Sequence, residues 1–145
     1  MKIGIASDHR GYELKTKLIK ELNEYEIIDF GTNNLTSVDY PDYAFLLGEA
    51  VRDQKIDFGI AICGSGIGIS IACNKVKKVR CAHVLTEEEA KMTRIDNNAN
   101  IISLSAKTSL EEAKKIIHTF LTTEFSSVER HQRRIDKITR YEDER

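Results

Sequence analysis

The sequence predicts an α/β protein: an open parallel sheet of five strands with helices on both faces. Three observations predict it. Short apolar runs alternate with amphipathic stretches from one end of the chain to the other, the pattern of successive strand–helix units. The central run, Phe58 to Ile62, is apolar on both faces, as a strand buried in a parallel sheet must be. No repeat, low-complexity segment or linker interrupts the alternation, so residues 1–145 are read as one domain of ordinary size.

The elements follow in order. Lys2 to Ser7 is a short apolar strand, and Gly11 to Asn23 a helix whose Leu14, Leu18, Ile19 and Leu22 share one face. Glu26 to Phe30 is a second strand. Pro41 suits the first turn of the next helix, with Ala44, Leu47 and Val51 on its buried side. After the third strand come Gly64-Ser65-Gly66-Ile67-Gly68 and a helix to about Asn74. Val79 to Leu85 is the fourth strand, and Thr86 with Glu89 makes a capping box for the helix after it. Asn100 to Leu104 is the fifth strand. Ser109 and Glu112 form a second capping box, followed by Ala113, Ile116, Ile117, Phe120 and Leu121 at helical spacing. Phe125 to about Tyr141 is a charged helix with a thin stripe of Val128, Ile135 and Ile138. Such a stripe suits a partner subunit better than a core of its own, with a helix packed on the surface of its own chain as the alternative.

Composition narrows the function. Hydrophobic residues make up 41% of the chain and charged residues 31%, with 22 Lys+Arg against 23 Asp+Glu. A general nucleic-acid binder carries a basic excess, so any anion site here is local. The opening Met1 to Ala6 is too short for a signal peptide or a membrane span, which leads to the expectation of a cytoplasmic protein with no membrane partner. Three cysteines, an odd number without a CxxC unit, argue against a disulfide framework and structural zinc.

Ligands of open parallel sheets bind at the carboxyl ends of the strands. That rule picks out Asp8 and His9, Cys63 to Gly68, and Ser105 to Lys107. Glycines at 64, 66 and 68 let backbone N–H groups approach a ligand closely, so an anion or a developing oxyanion is stabilised there. The loop is neither GxGxxG nor a P-loop. Cys63 stands where those dipoles favour its thiolate; a buried structural cysteine before a tight turn is the alternative, and spacing does not choose. Cys73 and Cys81 read as packing. Asp8 could instead cap a helix beside an exposed His9. Arg130 and Arg134 share a helical face and could clamp a phosphate or simply be solvated, and Lys107 is open in the same way. Asp96 to Asn100 reads only as a loop, and His83 and His118 as strand and helix filler.

Taken together, Ser7-Asp8-His9-Arg10-Gly11, Asp39-Tyr40-Pro41, Ile62 to Ser70 with Ala72 and Asn74-Lys75, Asn97-Asn98-Ala99-Asn100, and Arg130-His131-Gln132-Arg133-Arg134 resemble, in that order, the ribose-5-phosphate isomerase B family and its galactose-6-phosphate isomerase relatives. The resemblance spans essentially the whole chain. It implies an αβα Rossmann-like sandwich, a homodimer or dimer of dimers with active sites built from both chains, and no metal or cofactor. It further implies an aldose–ketose isomerase of the non-oxidative pentose phosphate branch. In it, Cys63 would move the proton between C1 and C2, and Gly64, Ser65, Gly66 and Gly68 would hold the enediolate oxygens. Asp8 and Tyr40 would contact the sugar, and His9, Arg130 and Arg134 the phosphate, with Lys107 standing where many relatives have arginine. Asn97 would hold a sugar hydroxyl of the partner chain's substrate, and His131 would support that region. At 96, ribose-type relatives carry a ring-opening histidine; here it is Asp96, which leaves a six-carbon sugar phosphate, or a non-catalytic sugar-phosphate-binding subunit, as alternatives.

Overall fold

The computed structural model describes all 145 residues. Five strands, β1 (Lys2–Ser7), β2 (Glu26–Asp29), β3 (Phe58–Cys63), β4 (Cys81–His83) and β5 (Ile101–Ser105), alternate with helices α1 (Tyr12–Glu21), α2 (Tyr40–Arg52), α3 (Ile67–Cys73), α4 (Glu87–Asn97) and α5 (Leu110–Thr122). A last helix, α6 (Glu129–Asp143), follows α5 directly. All strand pairs are parallel, in the order β2-β1-β3-β5-β4. The chain builds outward from β1 on one side and from β3 on the other, so the crevice between their carboxyl ends is the topological switch point.

The alternation of side chains along the strands divides the core into two layers. Ile3, Ile5, Ile60, Ile62, Ile102 and Leu104 pack under α1, α4 and α5, while Ala6, Ala61, Cys63 and Ile101 pack under α2 and α3. In α5 the expected apolar series is buried throughout, with Ile116, Ile117 and Phe120 fully enclosed. Each such side chain contributes about 1.5–3 kcal/mol by leaving water.

Helix starts follow local chemistry. Thr86 Oγ1 accepts from Glu89 N at 3.1 Å, and Glu89 returns its carboxylate to Leu85 N at 2.7 Å, one residue earlier than a standard capping box. Ser109 Oγ accepts from Glu112 N at 3.2 Å.

Several boundaries differ from the sequence expectation. The fourth strand is Cys81–His83 rather than Val79 to Leu85. Val79 sits in a turn whose N–H bonds Val76 O, and Arg80 N is taken by Asn100 Oδ1. Asp96 and Asn97 are not loop but the last turn of α4. The helix stops at Asn98, in the left-handed conformation (φ +47°), because the Arg94 guanidinium ties Asn98 Oδ1 and Ala99 O. The last helix begins at Glu129, not Phe125, after an irregular approach in which Ser126 Oγ donates to Ile95 O at 2.9 Å and Ser127 takes the left-handed conformation (φ +59°). The helix after the glycine loop starts at Ile67, directly behind Gly66.

Candidate active site

Strand β3 ends at Cys63, which is buried at the switch point. Gly66 has φ +81°, a conformation glycine adopts without penalty. This turn brings the Gly66 N–H back onto the sulfur, and it donates to Cys63 Sγ at 3.2 Å. Ser65 is exposed at the loop tip, its Oγ accepting from Ile67 N at 3.1 Å. Ser105 Oγ, at the end of β5, donates to Gly64 O at 2.8 Å and fixes the loop from below. Two approaches to the loop depend on missing side chains. A Cβ at Gly68 would lie 2.7 Å from Tyr40 Cζ and 3.0 Å from its hydroxyl, and a Cβ at Gly64 would lie 2.8 Å from the Arg10 guanidinium carbon. Tyr40 and Arg10 therefore lie against the loop.

At the end of β1, Asp8 does not cap α1; Gly11 occupies that position with no side-chain cap. The Asp8 carboxylate is buried and accepts from Arg10 N and Gly11 N, both at 3.0 Å, which closes the turn out of the strand. His9 is half-buried rather than exposed: its Nδ1 accepts from Val38 N at 3.2 Å. That bond assigns the ring proton to Nε2. Lys107, just beyond β5, is exposed, with its backbone N–H on Ser105 Oγ at 3.1 Å. Asp8, His9, Tyr40, the loop of residues 63–68 and Lys107 thus share the carboxyl end of the sheet.

The remaining candidates form a second group. Asp96 Oδ1 lies 3.5 Å from His131 Nε2, joining α4 to α6. Asn97 Oδ1 accepts from Thr93 Oγ1 at 3.1 Å. Asp96, Asn97, His131 and Arg134 line one cavity of about 500 Å³. Arg80 borders the same cavity, its guanidinium held below the usual range by burial and partly restored by Glu142. Arg130 lies one turn before Arg134 on α6 and is exposed. Arg133 is paired with Glu129 at 3.1 Å, whereas no carboxylate is paired with Arg130 or Arg134.

The two groups stand at opposite ends of the sheet. Asp96 and Asn97 close α4 just before β5 begins at Ile101, opposite Gly59, whereas Cys63 lies opposite Ser105, where β5 ends. Four residue steps of strand, about 13 Å, separate the two levels. Within one chain the fold keeps Asp96, Asn97, His131 and Arg134 away from Cys63.

Two residues at the loop were not singled out by the sequence. Arg10 carries no signal beyond its place in the opening motif. His83, read as strand filler, lies against Gly66, and its ring Nδ1 is 3.3 Å from Ser103 Oγ. Its position next to the loop follows from β4 being two strands away from β3, a fact of sheet order that no local pattern records. Cys73 and Cys81 are packing residues, as expected. Cys73 is fully buried, and a hydrogen bond to Cys73, together with burial, pushes the Cys81 thiol well above its ordinary value.

With this geometry in hand, comparison with known proteins is decisive about kinship. Residues 3–138 match the family model described as Ribose/Galactose Isomerase. The ribose-5-phosphate isomerase B of Escherichia coli (strain K12) is 37% identical, over 99% of this chain and 98% of that protein. The solved structure of Clostridium thermocellum ribose-5-phosphate isomerase B superposes with a TM-score of 0.96 at 46% identity, covering 99% of each chain. That of Mycoplasma genitalium ribose-5-phosphate isomerase B, with bound ribulose-5-phosphate, superposes with a TM-score of 0.92 at 43% identity over 99% of this chain and 97% of that one. The chain belongs to the ribose/galactose isomerase family and is of the ribose-5-phosphate isomerase B type.

Proposed function

We propose that the chain is an aldose–ketose isomerase that interconverts ribose 5-phosphate and ribulose 5-phosphate, with Cys63 as the base. One observation carries the reading: a buried thiol at the switch point accepts a backbone N–H inside a glycine loop that is open to a ligand. A thiolate is a competent base near neutral pH, and an N–H aimed at sulfur favours that form. In the proposed sequence the furanose ring opens and Cys63 Sγ removes the C2 proton of the aldose. The electron pair moves into a C1–C2 double bond, giving a cis-enediolate whose oxygens are held by the Ser65 hydroxyl and the N–H groups of residues 64–68. The C2 hydroxyl proton passes to O1, the C2 oxygen becomes the ketone, and the proton held on sulfur returns to C1. One base serves both carbons because a cis-enediolate presents them on one face. The reaction is redox-neutral and draws on no co-reactant.

Asp8 and Tyr40 take the sugar in this reading, and His9, Lys107, Arg130 and Arg134 the phosphate. Asn97, Asp96, His131 and the two arginines act on the partner chain's substrate, because their own Cys63 is at the far end of the sheet. The assembly is then a homodimer with shared sites. Its support includes α3, which begins beside Cys63 and leaves Ile67 and Ile71 53% and 57% exposed, an apolar face that a second copy would cover. No helix is long and apolar enough to cross a membrane, in keeping with action on a free sugar phosphate.

A six-carbon sugar phosphate is the second reading, and Asp96 in place of a ring-opening histidine is the observation that favours it. The test is direct: purified protein with ribose 5-phosphate, galactose 6-phosphate or allose 6-phosphate, followed by appearance of the ketose. Ribose 5-phosphate is expected to give the highest kcat/KM. Cys63→Ser should lower kcat by about 10²–10⁴-fold, the contribution of a positioned proton-transfer group, with the fold intact by circular dichroism. A serine variant that keeps most of its kcat would remove Cys63 from the mechanism.

A further inference from the structure

We propose that His83 is a positioning residue for the Cys63 thiol, its ring holding Gly66 in the conformation that aims the Gly66 N–H at sulfur. The proposal rests on the reading of Cys63 as the base. Gly66 is confined between two walls. A Cβ built there would lie 2.8 Å from the carbonyl carbon of Leu104, and 2.7 Å from Cε1 and 2.8 Å from Nδ1 of the His83 ring. The first wall is backbone, fixed by the pairing of Leu104 with Ile62 in β3. The second is a side chain on the edge strand, so its place must be set by something else. Ser103 sets it. This serine is directly opposite His83 in the β4–β5 pair, is fully buried, and holds its Oγ 3.3 Å from His83 Nδ1.

The consequence follows from the nature of glycine. Gly66 populates positive and negative φ about equally when unconstrained, so its left-handed turn needs enclosure. With the imidazole removed, one wall is gone and the turn can relax, which takes the N–H off Cys63 Sγ. A hydrogen bond to a charged acceptor is the strong kind. Losing it weakens the thiolate and the step that depends on it, while the phosphate contacts are elsewhere. The signature is therefore a loss in kcat without a matching change in KM.

The test compares His83→Ala with His83→Asn, whose side-chain amide occupies the place of Nδ1 and keeps both a partner for Ser103 and a wall against Gly66. Steady-state kinetics with ribose 5-phosphate are read beside the rate of Cys63 alkylation by iodoacetamide at pH 7, followed by peptide mass spectrometry with Cys73 and Cys81 as internal controls. His83→Ala is expected to lose about tenfold or more in kcat, the effect of one weakened charge-assisted hydrogen bond, with KM within about twofold. Cys63 alkylation should slow by a similar factor, and His83→Asn should recover most of both losses. Should the alanine variant not fold, His83→Val serves in its place, since valine suits a strand but is too short to reach Gly66. Wild-type kcat and alkylation in the short variant would overturn the proposal, as would a loss that His83→Asn shares in full. Failure of the isomerase reading is distinguishable: wild-type protein would be inactive on ribose 5-phosphate while the alkylation difference persisted.

Discussion

Asp96 and His131 face each other at 3.5 Å across α4 and α6, and on the proposed mechanism this pair opens the sugar ring. Opening a furanose needs a base for the anomeric hydroxyl and an acid for the ring oxygen. A carboxylate can take the hydroxyl proton, and a protonated imidazole can donate to the ring oxygen. Asp96→Asn should therefore slow turnover of ribose 5-phosphate by about 10–100-fold, at the low end of acid–base effects, and far less with a tetrose 4-phosphate, which cannot cyclise. Asp96→His should be tolerated. Equal losses on both substrates would make Asp96 a positional residue. The arginines of α6 separate in the same way. Arg134→Ala should weaken binding of ribose 5-phosphate and of inorganic phosphate by about one to two decades, the worth of a charge-assisted contact. Arg133→Ala should leave both unchanged, because Arg133 is engaged with Glu129. Isothermal titration with phosphate reads the difference, and equal affinities in all three proteins would return the cluster to solvent.

At the scale of elements, one buried cation ties a helix to the sheet. Lys15 in α1 is 1% exposed, and its Nζ donates to both carboxylate oxygens of Asp29 at the end of β2, at 2.7 and 2.8 Å. Asp29 is 39% exposed, so water can take it back but cannot reach the lysine. Asp29→Ala, which strands a buried ammonium, should destabilise by about 2–3 kcal/mol, reduced from the fully buried range by that exposure. Lys15→Met, which leaves only a hydratable carboxylate, should cost less. Urea unfolding of the two variants checks the order, and the reverse order would contradict it. The elements themselves were legible because each carries a period of its own: the Ala113 to Leu121 series and the Thr86 and Ser109 caps are local signals. The ends that were misread answer to partners distant in sequence. Asn100 takes the Arg80 N–H and shortens β4, and Arg94, anchored on Thr123 O 29 residues on, ends α4 by holding Asn98. Lys15 is the same case: nothing local marks a lysine on a helix as buried under a strand 14 residues on.

On the scale of the whole molecule, the site is legible in two halves and its division is not. The strand-end rule locates Asp8, His9, Cys63 to Gly68 and Lys107, because it needs only the order of elements along the chain. That Asp96, Asn97, His131 and Arg134 lie at the opposite end follows from β5 pairing with β3 in the register that sets Cys63 beside Ser105, which no residue announces. His83 escapes the sequence for the same reason. The division makes the account's central claim, a sugar-phosphate isomerase site completed by a second copy of the chain, testable by complementation. Cys63→Ser and Asn97→Ala are each expected to be nearly inactive on ribose 5-phosphate. When the two are mixed, unfolded and refolded together, half the dimers carry one chain of each kind, and in a two-fold assembly one of their two sites contains neither lesion. Ketose production should then recover to about a quarter of the wild-type rate, the statistical limit for a symmetric dimer with shared sites. A mixture that stays as inactive as its parents, from variants that fold and dimerise, would show that each chain completes its own site and would contradict the account.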